Sequence, residues 1–188
     1  MRSGWINEDS FALLLTALMP GNRLALEVSL RTGLRIGDVL ALESAKLAQR
    51  MVVRESKTGK KRRVYIPGRL LRELQQLAGK RYVFEGRCDW RKHRSRAAVY
   101  KDLRRVCALY RLDGQRVRAH LSPHSARKIY AVAEMRRGGI ERVKRLLQHE
   151  SEAVTMIYAM ADELEARRQH PAPRPYRGGG GGVTSGKK

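Results

Sequence analysis

Apolar residues recur at helical spacing along most of this chain, and β-prone runs replace them in one place. Residues 6–18 open with Asn, Glu and Asp and continue with spaced apolar residues, which predicts a helix. Pro20-Gly21 is expected to break it. A second helix is predicted from Arg23 to Arg31, with Leu24, Leu26, Val28 and Leu30 for the core and Gly33 as its C-terminal cap. Arg35 follows, then a short helix through Asp38 and Leu42. Met51-Val52-Val53 and Val64-Tyr65-Ile66 flank a polar, Gly-containing turn, which predicts a hairpin. A third strand is expected around Lys46–Gln49. Pro67 ends the sheet and opens a helix over Gly68–Leu77, with Leu70, Leu71, Leu74 and Leu77 in register.

Arg81–Arg94 reads as an irregular basic connection, and Val99, Leu103, Val106 and Leu109 mark a helix over Ser95–Tyr110. Asp113–His120 is a polar link. Ser122-Pro123 has the form of an N-cap and first helical residue. Gly138-Gly139 is expected to stop that helix, with a short one over Glu141–Leu147. Ser151 is expected to cap a last helix that carries Tyr158 and runs to about Arg168. Beyond His170 the chain turns to PAPRPYRGGGGGVTSGKK, read as a disordered tail over 171–188. The fold class is α+β: a mostly helical domain over 1–170 with a small antiparallel three-stranded sheet or hairpin.

Charge narrows the partner. Of 188 residues, 40 are Lys or Arg and 18 are Asp or Glu, a net charge of +22. Such a field attracts polyanions. The basic residues are spread along the chain instead of lining one amphipathic helix, so nucleic acid is favoured over a membrane surface. No apolar run is long enough to span a bilayer, and MRSGWINEDS lacks the apolar core of a signal peptide. Cys88 and Cys107 have no metal or redox spacing and read as reduced thiols of a cytosolic protein. An RNA-binding basic protein would carry the same charge, but no RRM, KH or zinc-knuckle motif is present.

Leu121–Tyr158 concentrates candidate chemistry: His124, Arg127, His149 and Tyr158. Each has an ordinary structural reading. His124 and Arg127 suit the first turn of a surface helix, His149 a turn, and Tyr158 an apolar helix face. Arg35 and Lys57 suit solvated surface cations.

Their order changes that reading. TGLRIGDVLAL, SKTGKKRRVYIP, PHSARK, LLQHES and then Tyr158 together resemble the tyrosine recombinase family, the phage integrases, over about residues 7–165. The resemblance implies that Arg35 is the first catalytic arginine, Lys57 the hairpin lysine, and His124 and Arg127 the HxxR pair. His149 would be the second histidine and Tyr158 the nucleophile. It implies attack on a DNA phosphodiester, a 3′-phosphotyrosyl link, and strand exchange through a Holliday junction without metal, ATP or other cofactor. It further implies double-stranded DNA as partner and four protomers assembled on two DNA sites.

The residue types suit that chemistry. Two guanidiniums can each fork onto non-bridging phosphate oxygens, which a lysine cannot copy. His124 and Arg127 share a helix face in a first turn whose N–H groups favour an anion. A tyrosine with an ordinary pKa of about 10 needs a base, for which His124 is the candidate. Lys57 is the candidate acid for the leaving 5′-oxygen, with Lys60 and Lys61 as rivals. Lys128 and Gln148 stand where the family commonly has His and Gly. Only thirty-four residues precede Arg35, so the helical core-binding domain usual in the family is expected to be absent. Two other activities remain open: topoisomerase IB-like nicking and resealing, and DNA binding without catalysis.

Overall fold

The computed structural model describes residues 6–112, 115–116 and 120–147. In chain order these form α1 (Glu8–Thr16), α2 (Pro20–Thr32), α3 (Ile36–Leu40), a 3-10 turn (Ser44–Lys46), β1 (Arg50–Arg54) and β2 (Lys61–Tyr65). Then come α4 (Gly68–Leu77), α5 (Arg96–Leu109), β3 (Arg111–Leu112), β4 (Gln115–Arg116) and α6 (Pro123–Leu147). The fold is therefore mainly helical with small antiparallel pairs. The expected helix around Tyr158, His149 and the tail lie outside the described residues.

Local sequence sets most of the boundaries. The Asn7 side chain caps α1 by accepting from the Ser10 N–H at 2.7 Å. α1 ends before Pro20, as expected, but Pro20-Gly21 itself begins α2, three residues ahead of the expected start at Arg23. Proline suits a first helical position, where its missing N–H costs nothing. The N–H of Met19 before it is bonded from far along the chain, by Asp102 Oδ2 of α5 at 2.9 Å. Asn22 Nδ2 donates to the same oxygen at 2.8 Å. Gly33 ends α2 in the left-handed conformation, φ 66°, its N–H donating to the Ser29 carbonyl at 2.8 Å.

β1 and β2 pair with Val53 opposite Arg62 and Met51 opposite Val64. Val53, Val64 and Ile66 face the core, whereas Val52 and Tyr65 face outward. The third strand expected around residues 46–49 does not form, and the sheet is two-stranded. Ser44–Lys46 coils into the 3-10 turn instead, and at that end of the hairpin the pairing extends by a bond from Ile66 N–H to the Gln49 carbonyl at 2.8 Å.

The Arg81–Arg94 connection is irregular but pinned, with Val83 and Phe84 buried and backbone bridges at Glu43–Tyr82 and Glu85–His93. Ser95 caps α5 by accepting from Ala98 N–H. The link expected over Asp113–His120 contains β4, which pairs with β3 just before it. In α6, Gly138 and Gly139 leave helical geometry, with Gly139 at φ 69°, and the helix resumes to Leu147. Glu134 splints this break by accepting from Arg137 at 2.6 Å and from Arg142 at 2.5 Å. One core joins α1–α5, the hairpin and the start of α6. α2 is central to it and packs along α6.

Candidate active site

The C-terminus of α2 is the seat of the site. A helix ends in carbonyls without intrahelical partners and with partial negative charge. Here the Thr32 and Gly33 carbonyls accept from buried arginines. Arg127 Nη1 donates to Gly33 O at 2.5 Å, and Arg62 donates to Gly33 O at 3.3 Å and to Thr32 O. The Arg62 guanidinium also lies 5.9 Å from the Tyr130 ring centroid. The bend at Gly33 then brings Arg35 to the N-cap position of α3.

Glu55 completes this seat. Its side chain is 0% exposed. Arg35 Nη1 donates to its Oε2 at 2.6 Å, and Thr58 Oγ1 does so at 3.3 Å. Its Oε1 lies at ion-pair distance from Arg62, 3.6 Å, and from Arg127, 3.8 Å. Burying charge is tolerated when it is paired and hydrogen-bonded, and one carboxylate here meets three guanidiniums.

The turn that carries Lys57 is held at both ends. Glu55 closes it through the backbone, its N–H donating to Lys60 O at 3.0 Å and its carbonyl accepting from Gly59 N–H at 2.8 Å. Buried Asp38 of α3 accepts from Ser56 N–H at 2.9 Å and Ser56 Oγ at 2.7 Å. Lys57 itself is exposed. At the start of α6, Ser122 Oγ accepts from His124 N–H at 3.2 Å, the N-cap contact that the Ser-Pro pair suggests. His124 is half-buried, and Arg127, one turn later, is fully buried.

These elements enclose a cleft lined by Arg35, Ile36, Gly37, Ser56, Lys57, Arg96, Pro123, His124 and Arg127. Four of the six candidates from the sequence, Arg35, Lys57, His124 and Arg127, therefore line one surface. Lys60 and Lys61 are not among the lining residues. His149 and Tyr158 lie outside the described residues. Sequence reasoning missed Glu55, Asp38, Arg62 and Arg96. A signal for two of them was present: alternation from Val53 places Glu55 on the core face of β1, and alternation from Val64 places Arg62 on that of β2.

The family model described as "Phage integrase family" matches residues 5–165. The chain belongs to the phage integrase family. Among curated relatives of this family it is 29% identical over 145 residues to the "Probable integrase/recombinase YoeC" of Bacillus subtilis (strain 168), covering 73% of this chain and 76% of that one. Its fold is that of the integrases of known structure. A lambda integrase dimer bound to a COC′ core site superposes with a TM-score of 0.67 at 18% identity, over 83% of this chain. The match spans 59% of that lambda integrase chain. The lambda integrase catalytic core superposes with a TM-score of 0.62 at 19% identity, over 78% of this chain and 91% of that one.

Proposed function

We propose that this chain, over residues 1–170, is the catalytic unit of a site-specific DNA recombinase that integrates or excises DNA. The observation that carries this reading is the cleft in which Arg35, Arg127, His124 and Lys57 converge. Two guanidiniums lining one cleft match the non-bridging oxygens of one phosphodiester. A lysine and a histidine beside them match the two proton transfers that a phosphoryl transfer between oxygens requires.

In this mechanism Arg35 and Arg127 hold the phosphate, and His149 donates a further hydrogen bond to it. The Tyr158 oxygen attacks phosphorus and passes its proton to His124. The bond from phosphorus to the 5′-oxygen breaks, and Lys57 protonates that oxygen. A 5′-hydroxyl of the partner strand then attacks the 3′-phosphotyrosyl, returns its proton to Lys57, and releases Tyr158, which regains the proton held by His124. The exchange conserves one phosphodiester at every stage, so no energy source is consumed.

Double-stranded DNA is the proposed partner, supported by the net charge of +22 and by the lambda integrase dimer on its core site. The same relative supports self-association on DNA, and the resemblance extends this to four protomers on paired sites. Binding through many phosphates predicts steep salt dependence.

The test is a nicked duplex whose cleaved end diffuses away and traps the covalent complex. Wild type is expected to yield an adduct that survives denaturant, and Tyr158→Phe none. An adduct from the Phe variant would refute Tyr158 as nucleophile. Relaxation of supercoiled DNA without recombinants would place the chain with topoisomerases, and DNA binding without any adduct would make it a binding protein.

A further inference from the structure

The two arginines assigned to the phosphate already share an anion inside the protein. We propose that Glu55 is the positioning residue of the site, an internal counter-anion that sets Arg35 and Arg127 in place before DNA arrives. This rests on the reading of the cleft as a phosphodiester site. Glu55 is 0% exposed, so DNA does not reach it from solvent. Its Oε2 takes one N–H of Arg35 at 2.6 Å, and its Oε1 stands 3.8 Å from the Nη1 of Arg127 that is fixed by Gly33. A guanidinium carries five N–H donors in a planar fork. One edge can therefore rest on Glu55 while another faces the cleft.

The same residue connects these arginines to the lysine. Glu55 is the last residue before the turn over Ser56–Thr58, and its side chain accepts from Thr58 while its backbone closes the turn onto Gly59 and Lys60. A shift of Glu55 would thus move Arg35 and the Lys57 turn together. Without the carboxylate, Arg35, Arg62 and Arg127 would repel one another across a buried space, and Arg35, the one nearest solvent, would be driven outward. A bound phosphate would then take the place of the missing anion.

Binding and catalysis should therefore respond in opposite directions when the Glu55 charge is removed. Glu55→Gln keeps the size of the side chain and removes its charge. Affinity for the nicked duplex is expected to rise several-fold, because the phosphate supplies the negative charge that Glu55 no longer does. Adduct formation at saturating DNA is expected to fall about 100-fold, as misplacing catalytic groups by an ångström does. Glu55→Asp retains the charge but falls short of Arg35, so an intermediate rate, about tenfold below wild type, is expected at unchanged affinity. A purely structural role would lower the melting temperature alone, or lower affinity and rate together, and either result overturns the proposal. So would a wild-type rate in Glu55→Gln. If Glu55→Gln does not fold, Glu55→Asp decides, and a wild-type rate in it overturns the proposal.

Failure of the enzyme reading is visible separately, as no adduct from wild type. In that case the shift of melting temperature caused by duplex DNA decides. A larger shift in Glu55→Gln than in wild type supports the internal counter-anion, and an equal or smaller shift overturns it.

Discussion

The carbonyl of Gly33 and the guanidinium of Arg127, ninety-four residues apart, are joined by a 2.5 Å hydrogen bond. The bond depends on the left-handed turn at Gly33, φ 66°, and on the bare Cα there, because an added Cβ would collide with the Tyr130 ring. Gly33→Ala is expected to lose about 3 kcal/mol of stability, from left-handed strain and overpacking together. Urea unfolding measures it. In a Tyr130→Ala background that collision is absent, so Gly33→Ala should cost only about 1–2 kcal/mol there, the backbone share.

Lys57 lines the cleft, and Lys60 and Lys61 do not. Lys57→Ala is expected to slow cleavage about 100–1,000-fold on ordinary nicked DNA. A substrate with sulfur in place of the bridging 5′-oxygen has a leaving group that needs no proton, so it should restore the Lys57→Ala rate to near wild type. Lys60→Ala and Lys61→Ala should cleave the ordinary substrate within about threefold of wild type, allowing for a lost surface charge. Rescue of either by sulfur instead of Lys57→Ala would reassign the acid.

Asp102 ties α5 to the start of α2 through one carboxylate. Besides Met19 and Asn22 it accepts from Arg105 Nε at 3.0 Å and Nη2 at 2.7 Å. Asp102→Ala would leave the start of α2 uncapped and Asn22 without this acceptor, at a cost of about 2–3 kcal/mol. Thermal unfolding should show the loss, while the cleavage rate well below the melting temperature should stay at wild-type level. A rate loss without a stability loss would contradict this structural role.

Acid should unfold the protein through two of its buried carboxylates. Burial pushes the Glu134 carboxyl up, but hydrogen bonds from Arg142 and Arg137 outweigh it and hold the carboxyl below its ordinary value of 4.5. Burial also pushes Asp102 up, and bonds from Asn22, Arg105 and the Met19 N–H overcome it, keeping the carboxyl below its ordinary 3.8. With folded pKa values depressed, their contribution is complete above the unfolded values and disappears as pH falls through the folded ones. Urea midpoints should therefore be flat from neutral pH to about 5 and decline below about 4. The double variant Glu134→Gln with Asp102→Asn should be less stable at pH 7 and show a flatter acid decline.

Much of this architecture was legible in local sequence, and what was not is non-local. The leucine spacing of α4, the Ser95 and Ser122 caps and the Gly33 terminus each follow from residues within a turn of one another. Pro20-Gly21 marked the break between α1 and α2, but not that α2 begins at Pro20 itself, where Asp102 of α5 accepts from the Met19 N–H. In the site, motif order located the cations of the cleft. Their acceptors stayed hidden: Glu55 falls in a polar turn and Asp38 on a short helix, and only packing between distant segments buries them. The third strand failed because residues 44–46 coil, a preference that β-prone neighbours did not reveal.

Arg127 has a further reach. Its other terminal nitrogen, Nη2, makes a long 3.5 Å contact with the Leu147 carbonyl, where the last described helix ends. His149 follows two residues later and Tyr158 eleven residues later. The guanidinium proposed to hold the phosphate therefore also touches the point from which the chain leads on to Tyr158, the proposed nucleophile. Extended backbone advances at most about 3.6 Å per residue, so the eleven residues after Leu147 keep Tyr158 within about 40 Å of this contact.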